Sequence, residues 1–473
     1  MKKIVAIMIS VFMIVSAMTG LSAFAAGEDY TATKDWGINQ ESGKFEISSV
    51  GDFIAFNVNA LTNNYYQGKE VIITNDIIFN PNWDASTKSE QGVEYTWTPM
   101  TNFKGVLDGQ GHTISGFYVK GTDNFQGIFA TTGGPATFKN LKIMNTYIQS
   151  DAAKNHHGGL VGQVKGGSAI FENIYSEAIV GYTSSDTTKA SSNVGGFVGV
   201  ASSETTFNNC VFAGEVEAKI RAAGFVGNLG SLSVLTDCVN MGKITVLDND
   251  EAAGFLGRVN ADAYLTRCFN AGEINATGNL VSAFAVLYQF QSLKNVVCED
   301  SWYLTASSTK SLCCTENADN QKFSVTVVYT DGEGAGTGGA YKCTAGAEAG
   351  TTSVAVQNLI SSIDTIEAFI NKPGMVGWCV ADGKVMLKTM ATMIGANVTA
   401  EGPTEIEDEN DEYESTESNE DTEDTDSATT PKETTAETAE EEKSGCGSAI
   451  GFATVSIIAV ACGVGIVVRK RDE

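Results

Sequence analysis

Short apolar segments alternate with glycine-containing turns through the middle of the chain, at a spacing that repeats. Four motifs begin and end with glycine and enclose two apolar residues: Gly159–Gly162, Gly196–Gly199, Gly224–Gly227 and Gly254–Gly257. Successive copies begin 37, 28 and 30 residues apart. A strand this short cannot bury a face alone, so the repeat predicts coils that stack on one another.

Each motif is followed by a second apolar strand, a turn and a third strand, as in the segments beginning at Phe207 and Gly214. Weaker copies at 127–130 and 283–286 flank the array. We therefore predict an all-β fold, a right-handed parallel β-helix with three strands per coil, each paired with its copy about 4.8 Å away. Glycine at the corners is expected to supply the positive φ of sharp turns.

Three cysteines support this register, because Cys210, Cys238 and Cys268 each lie 14 residues after the first glycine of their repeat. They are predicted to form one column of buried free thiols, with disulfides as the alternative that parallel side chains disfavour. Serine in this column is expected to be worse than alanine, because its hydroxyl would lack an assured partner. Cys298 is one residue out of phase. No pairing is predicted for Cys298, Cys313, Cys314, Cys343 or Cys379.

The two ends of the chain indicate export and a membrane anchor. Lys2 and Lys3 precede an apolar run that ends in a small-residue cleavage site at 23–25, which is typical of a signal peptide. Residues 447–468 carry no charge and are long enough, at about 1.5 Å per residue, to span a membrane as one helix. Basic residues follow at 469–471, which places the tail in the cytoplasm and the bulk of the chain outside. The alternative to a cleaved signal peptide is an uncleaved membrane anchor at the N-terminus.

Charge is distributed unevenly along the chain. The net charge is -27, and residues 401–443 hold 19 acidic side chains against Lys432 and Lys443. This stretch is predicted to be a disordered, extended stalk and a passive tether, since its like charges repel and it has little apolar surface to bury. The preceding part is moderately acidic, which argues against nucleic acid as a partner.

The array resembles the GLUG-motif repeats of bacterial cell-surface proteins, and the resemblance covers roughly residues 45–300. Segments at 51–56, 68–77 and 103–114 are similar to those that commonly precede such arrays. Within them, the Ser49-x-x-Asp52 pattern predicts a helix that caps the open end of the solenoid. The residues at 444–448, with the apolar run and basic tail that follow, resemble the tails of surface proteins of anaerobic Gram-positive bacteria.

Together these features predict the following organisation. The segments are a signal peptide (1–25), an N-terminal capping segment (26–125), the repeat β-helix (126–300), irregular C-terminal coils with a closing segment (301–400), the stalk (401–446), the transmembrane helix (447–468) and the cytoplasmic tail (469–473). The closing segment is expected to end in a strand pair within 378–387.

Parallel β-helices include pectate lyases and polygalacturonases, whose catalysis needs clustered carboxylates and, in lyases, a basic side chain. Asp108 and His112 look catalytic, but the resemblance implies a turn in which they stabilise neighbouring backbone. His156 and His157 would face opposite ways on an extended chain, which makes a poor metal pair. Residues 248–251 lack the spacing of a calcium loop, which favours a solvated turn. No catalytic, cofactor-binding or metal-binding residue is therefore predicted.

Two functions remain. The first is a non-catalytic, adhesin-like surface scaffold at the cell membrane that binds an extracellular glycan or surface protein. The alternative is a polysaccharide-active β-helix enzyme, a lyase or a glycoside hydrolase. An outward column of acidic or aromatic side chains along one face would discriminate between them.

Overall fold

The computed structural model describes most of the chain between residues 30 and 404. The described ranges are 30–60, 65–121, 123–150, 156–181, 193–247, 251–276, 280–287, 295–304, 312–314, 322–328, 339–342, 362–363, 365–372 and 374–404. The predicted signal peptide, almost all of the stalk and the predicted transmembrane helix lie outside these residues. Within the described ranges, no helix has the length and apolar character needed to cross a membrane.

The described chain is a parallel β-solenoid in which each regular coil passes through four sheets. Sheet I contains β7 Phe125–Gln126, β10 His156–Gly158, β14 Asn193–Gly195, β18 Arg221–Ala223, β23 Glu251–Ala253 and β28 Val281–Ser282. Sheet II contains the start of β8 Phe129–Met144, then β11 Val161–Val164, β15 Val198–Ala201, β19 Val226–Leu229, β24 Leu256–Val259, β29 Ala285–Leu287 and β32 Leu312–Cys314.

Sheet III is the widest of the four sheets. It contains β1 Phe45–Ile47, β2 Glu70–Ile73, β3 Ile77–Ile78, β4 Phe103–Asp108, β5 Thr113–Ser115, the rest of β8, β12 Ala169–Ser176, β16 Thr205–Phe212, β20 Ser233–Thr236, β21 Val239–Asn240, β25 Ala263–Thr266, β26 Phe269–Asn270, β30 Asn295–Glu299, β31 Trp302–Leu304, β33 Lys322–Val328, β34 Gly339–Lys342 and β35 Ser362–Ile363. Sheet IV contains β6 Tyr118–Gly121, β9 Tyr147–Ser150, β13 Ile179–Gly181, β17 Glu215–Ala218, β22 Lys243–Val246 and β27 Ile274–Asn275.

The strand pairing confirms the repeat register. Val161 pairs with Val198, Val198 with Val226, and Val226 with Leu256, so the glycine motifs lie on successive coils. The parallel solenoid is therefore confirmed, while its handedness stays a prediction. The prediction of three strands per coil is wrong, because sheet I adds a fourth strand before each motif.

The glycines of the motifs are required by close packing, and their expected positive φ is wrong. None of the eight motif glycines has a φ in the left-handed region. A Cβ on Gly159 would lie 2.2 Å from the Gly196 carbonyl oxygen, and one on Gly196 would lie 2.1 Å from that of Gly224. Successive coils therefore approach too closely at this corner for any side chain.

A helix closes the N-terminal end of the interior, as predicted. Helix α1 (Val50–Ala60) begins after Ser49, whose hydroxyl accepts from the Asp52 N–H at 3.2 Å, while the Asp52 carboxylate accepts from the Ser48 N–H at 3.0 Å. Phe53 and Phe56 are fully buried and pack edge-on against aromatic side chains of the first coils. The helix thus covers apolar surface that the open end of a solenoid would otherwise expose.

The interior confirms the cysteine column. Cys210 pairs with Ile174 of the preceding coil, and Cys210, Cys238 and Cys268 are all fully buried and free. Burial raises the pKa of the Cys238 thiol, which also contacts the Cys210 and Cys268 thiols. Cys298 is outside the column, since it pairs with Leu265.

Differences in coil length are taken up at one corner, where the chain passes from sheet IV to sheet I. β13 ends at Gly181 and β14 begins at Asn193, whereas β17 ends at Ala218 and β18 begins at Arg221. The register of sheets II, III and IV is unchanged between these coils. The 37-residue and 28-residue spacings therefore differ mainly at this corner.

Residues 365–404 form a C-terminal module on the outside of the solenoid. It consists of α2 Ile366–Ile370, β36 Trp378–Ala381, β37 Lys384–Leu387, α3 Lys388–Ile394 and β38 Val398–Glu401. The predicted strand pair is present as the antiparallel hairpin β36–β37, and β38 pairs with its other edge. The module packs against the outward face of sheet III. A single-turn 3₁₀ helix, Ala85–Thr87, lies near sheet IV.

Candidate functional site

Polar side chains cluster at the junction between the C-terminal module and sheet III. Beneath it runs an outward apolar column with one residue per coil: Tyr175, Val211, Val239, Phe269 and Trp302. The module buries this column, and Phe369 stacks on Phe269 with ring centroids 4.2 Å apart. The outward column that could have served as an aromatic binding platform is thus covered by the chain itself.

A charged group lies at the edge of this buried column. Lys384 Nζ is 2.7 Å from Glu177 Oε1 and 5.1 Å from the centre of the Tyr175 ring. It also donates to the Tyr175 hydroxyl, which in turn donates to Glu177. Burial, together with this bond to Glu177, raises the pKa of Tyr175 above its ordinary value. The group therefore links the module to the solenoid and keeps Tyr175 protonated.

A ladder of asparagines runs along sheet III beside the module. Asn140, Asn173 and Asn209 all have left-handed backbone conformations, with φ of 53°, 53° and 48°. Asn173 Nδ2 donates to Asn140 Oδ1 at 3.0 Å, and Asn209 Nδ2 donates to Asn173 Oδ1 at 2.8 Å. The ladder ends at Asp108, whose carboxylate accepts from Asn140 at 3.0 Å. Asparagine tolerates this backbone conformation better than most residues, which explains its recurrence at a tight bend.

Two cavities flank helix α3 where it lies over sheet III. The larger, of about 470 Å³, is called the amide groove here and is lined by Gln110, Gly111, Asn140, Asn173, Thr389 and Met393. The smaller, of about 250 Å³, holds the charged group described above. Its remaining lining includes Thr113, Lys142, Asp382 and Met386.

Asp108 has the backbone-stabilising role that the resemblance implied, and His112 lies in the same turn. Asp108 Oδ1 accepts from the backbone N–H of Gln110 at 2.9 Å and so holds the turn. His112 Nδ1 lies 3.2 Å from Asp76 Oδ1, which also accepts from the Thr113 N–H. Asp108 therefore stabilises the backbone of the turn, whereas His112 contacts only the Asp76 carboxylate that binds the Thr113 N–H.

The two adjacent histidines face opposite ways, as predicted. His156 stacks on Phe125 with ring centroids 5.4 Å apart, and its Nδ1 accepts from Asn193 Nδ2 at 2.7 Å. His157 is fully buried, and neither ring nitrogen has a hydrogen-bond partner among the described residues. Burial lowers the pKa of His157 to about 3. These imidazoles cannot share one metal ion.

The arginines of the repeat region form salt bridges with carboxylates. Glu251 is 1% exposed and accepts from Arg221 Nε at 2.8 Å and from Arg258 Nε at 2.7 Å. Arg267 forms a bidentate salt bridge with Asp237, with Nε–Oδ1 and Nη2–Oδ2 distances of 2.6 and 2.7 Å. The expectation of a solvated turn is therefore wrong for Glu251, while 248–250 lie outside the described residues. Across the part of the chain that the structure describes, no cluster of three or more metal-ligating side chains occurs.

Sequence reasoning missed both the ladder and the Lys384 group. A signal for the ladder is present, because each asparagine lies two residues after a buried phenylalanine in its coil: Phe138, Phe171 and Phe207. No such signal exists for Lys384, which meets Glu177 across 207 residues of chain.

Comparison with known proteins found no match. The chain matches no family model, no curated protein and no solved structure. The fold class, a parallel β-solenoid, therefore rests on the strand pairing itself.

Proposed function

We propose that the protein is a non-catalytic, surface-displayed solenoid of the GLUG-repeat type that binds an extracellular glycan or surface protein. The observation that supports this is a contrast between charged and neutral side chains. The arginines and the carboxylates of Asp108, Glu177 and Glu251 are bound to partners within the protein. The amides of the groove use only part of their hydrogen-bonding capacity.

Binding without turnover tests this proposal. The full-length protein is applied to arrays of glycans and extracellular proteins, and separately incubated with polysaccharides while new reducing ends and unsaturated products are measured. We expect saturable binding and no product. Steady product formation with any polysaccharide would contradict the non-catalytic assignment.

The display proposal rests on the predicted signal peptide, stalk, transmembrane helix and basic tail of a Gram-positive surface protein. Protease added to intact cells should release a soluble fragment by cutting within 401–443, because the stalk is predicted to be disordered and cleavage concentrates in disordered chain. A chain that stays intact until the membrane is dissolved would contradict this topology.

A polysaccharide-active enzyme is the second candidate, and the smaller cavity supports it. Tyr175, Glu177 and Lys384 meet there beside Asp382. These side chains are of the types that act as general acid and general base in glycan cleavage. If this candidate is correct, Tyr175→Phe abolishes product formation while leaving the thermal midpoint close to that of the parent protein.

A further inference from the structure

The amide groove offers neutral hydrogen-bonding groups on a fixed frame. Gln110 projects from the turn that Asp108 holds, and Asn140 and Asn173 occupy equivalent positions on successive coils of sheet III. Thr389 and Met393 form the opposite wall on helix α3. Because the ladder bonds hold both asparagine side chains, the groove is largely preformed.

Each groove amide retains unused hydrogen-bonding capacity. A carboxamide has two N–H donors and an oxygen with two acceptor sites. Asn173 uses one donor toward Asn140 and one acceptor site toward Asn209. The Gln110 side chain is exposed and bonds to none of the described residues. These amides can therefore both donate to and accept from a ligand.

The lining also lacks charge. None of the six described residues that line the groove is ionisable, and Met393 adds an apolar surface. On the same strands, Lys139 lies 3.3 Å from Asp108 and 3.6 Å from Glu70, so its charge is matched by carboxylates, and Glu172 directly precedes Asn173. An anionic ligand would thus lose its hydration here without gaining an opposite charge.

We propose that the amide groove binds an uncharged saccharide. Sugar hydroxyls donate and accept, as the amides and the Thr389 hydroxyl do, and the C–H face of a sugar ring can pack on Met393. The equivalent amides, about 4.8 Å apart on successive coils, can meet hydroxyls of neighbouring sugar units. A cavity of 470 Å³ is within the usual size of a ligand site. This inference rests on the proposed binding function and names its ligand class and site.

The test uses the full-length protein with neutral oligosaccharides of glucose, mannose and xylose, and with oligogalacturonate as the charged probe. Gln110→Ala and Thr389→Val each remove hydrogen-bonding groups from the groove. Gln163→Ala is the matched control, because Gln163 lies on sheet II and bonds to Ser202. We expect each groove variant to weaken binding of a neutral oligosaccharide by about threefold to tenfold, as for one lost hydrogen bond.

Gln110→Glu sharpens the test, since it keeps the shape and adds a charge. A neutral sugar should lose no more affinity for it than for Gln110→Ala, whereas a negatively charged sugar bound there would be repelled further. Neutral binding that both groove variants leave unchanged would overturn the groove assignment while the proposed function stands. Preferential binding of oligogalacturonate, or binding to protein ligands alone, would also overturn the groove assignment and leave the proposed function standing. Failure to bind any arrayed ligand would overturn both.

Discussion

At the scale of the residue, the cysteine column continues into a serine. Ser301 occupies the next position, where its hydroxyl accepts from the Cys268 N–H at 3.1 Å and lies 3.0 Å from the Glu299 carbonyl oxygen. The thiol of Cys238 lies 3.2 Å from the corresponding carbonyl, that of Thr236. The column thus provides an acceptor that the sequence did not reveal.

This acceptor changes the expected order of substitutions at Cys238. Cys238→Ser should be no less stable than Cys238→Ala, because the hydroxyl can donate to the Thr236 carbonyl and avoid the 1–3 kcal/mol penalty, roughly, of an unpaired buried group. Cys238→Val should be close to the parent protein, since Ile174 fills the same column. Urea unfolding measures the three free energies. A serine variant less stable than alanine by about 1 kcal/mol or more would contradict the prediction.

His157 gives the solenoid a specific weakness to acid. Its pKa is lowered to about 3 by burial, whereas the pKa of a histidine in an unfolded chain is about 6.5. The unfolded chain therefore binds a proton first, and stability is lost as the pH falls from about 6.5 toward 3. Between pH 7 and pH 5 the loss should be about 2 kcal/mol, from roughly 1.4 kcal/mol per pH unit.

The matched variant is His157→Val, since Val194 occupies the same interior position on the next coil. Its free energy of unfolding should fall less between pH 7 and pH 5 than that of the parent protein. Equal slopes in urea titrations at the two pH values would show that His157 does not cause the acid sensitivity.

At the scale of the element, the bend within sheet III depends on its left-handed residues. Asn173→Ala should destabilise more than Asn173→Gly, although both lose the same ladder bonds. Glycine adopts φ of 53° without strain, whereas alanine pays roughly 1–2 kcal/mol. The difference in thermal stability between the two variants measures this backbone strain, since the loss of the ladder bonds is common to both. An alanine variant as stable as the glycine variant would mean that the bend relaxes.

The strands that carry the apolar repeat could be predicted from the sequence, and the strands without it could not. Sheets II, III and IV follow from alternating apolar residues, and the register follows from the glycine motifs. Sheet I has strands such as Arg221–Ala223 and Glu251–Ala253, whose small and charged residues do not resemble buried strands. Only the hydrogen bonds between coils reveal them. The candidate site was hidden for a different reason, since it forms between segments far apart in sequence.

At the scale of the whole molecule, the C-terminal module protects the apolar column of sheet III. A fragment of residues 26–364 lacks the module, whereas 26–404 keeps it, including β38, which the predicted boundary at 400 would cut. The shorter fragment should bind a hydrophobic dye strongly and aggregate, because Phe269 and Trp302 become exposed. Equal dye binding by the two fragments would contradict this protective role.

The corner between sheets IV and I makes the chain extensible. Because coils of 37 and 28 residues keep the same register elsewhere, an added segment there changes neither the interior nor the neighbouring coils. Ten glycine and serine residues inserted between Lys219 and Ile220 should leave the thermal midpoint nearly unchanged, whereas the same insertion between Gly196 and Phe197 should prevent folding. New loops can thus be acquired, lost or exchanged along one edge while the fold beneath them stays constant.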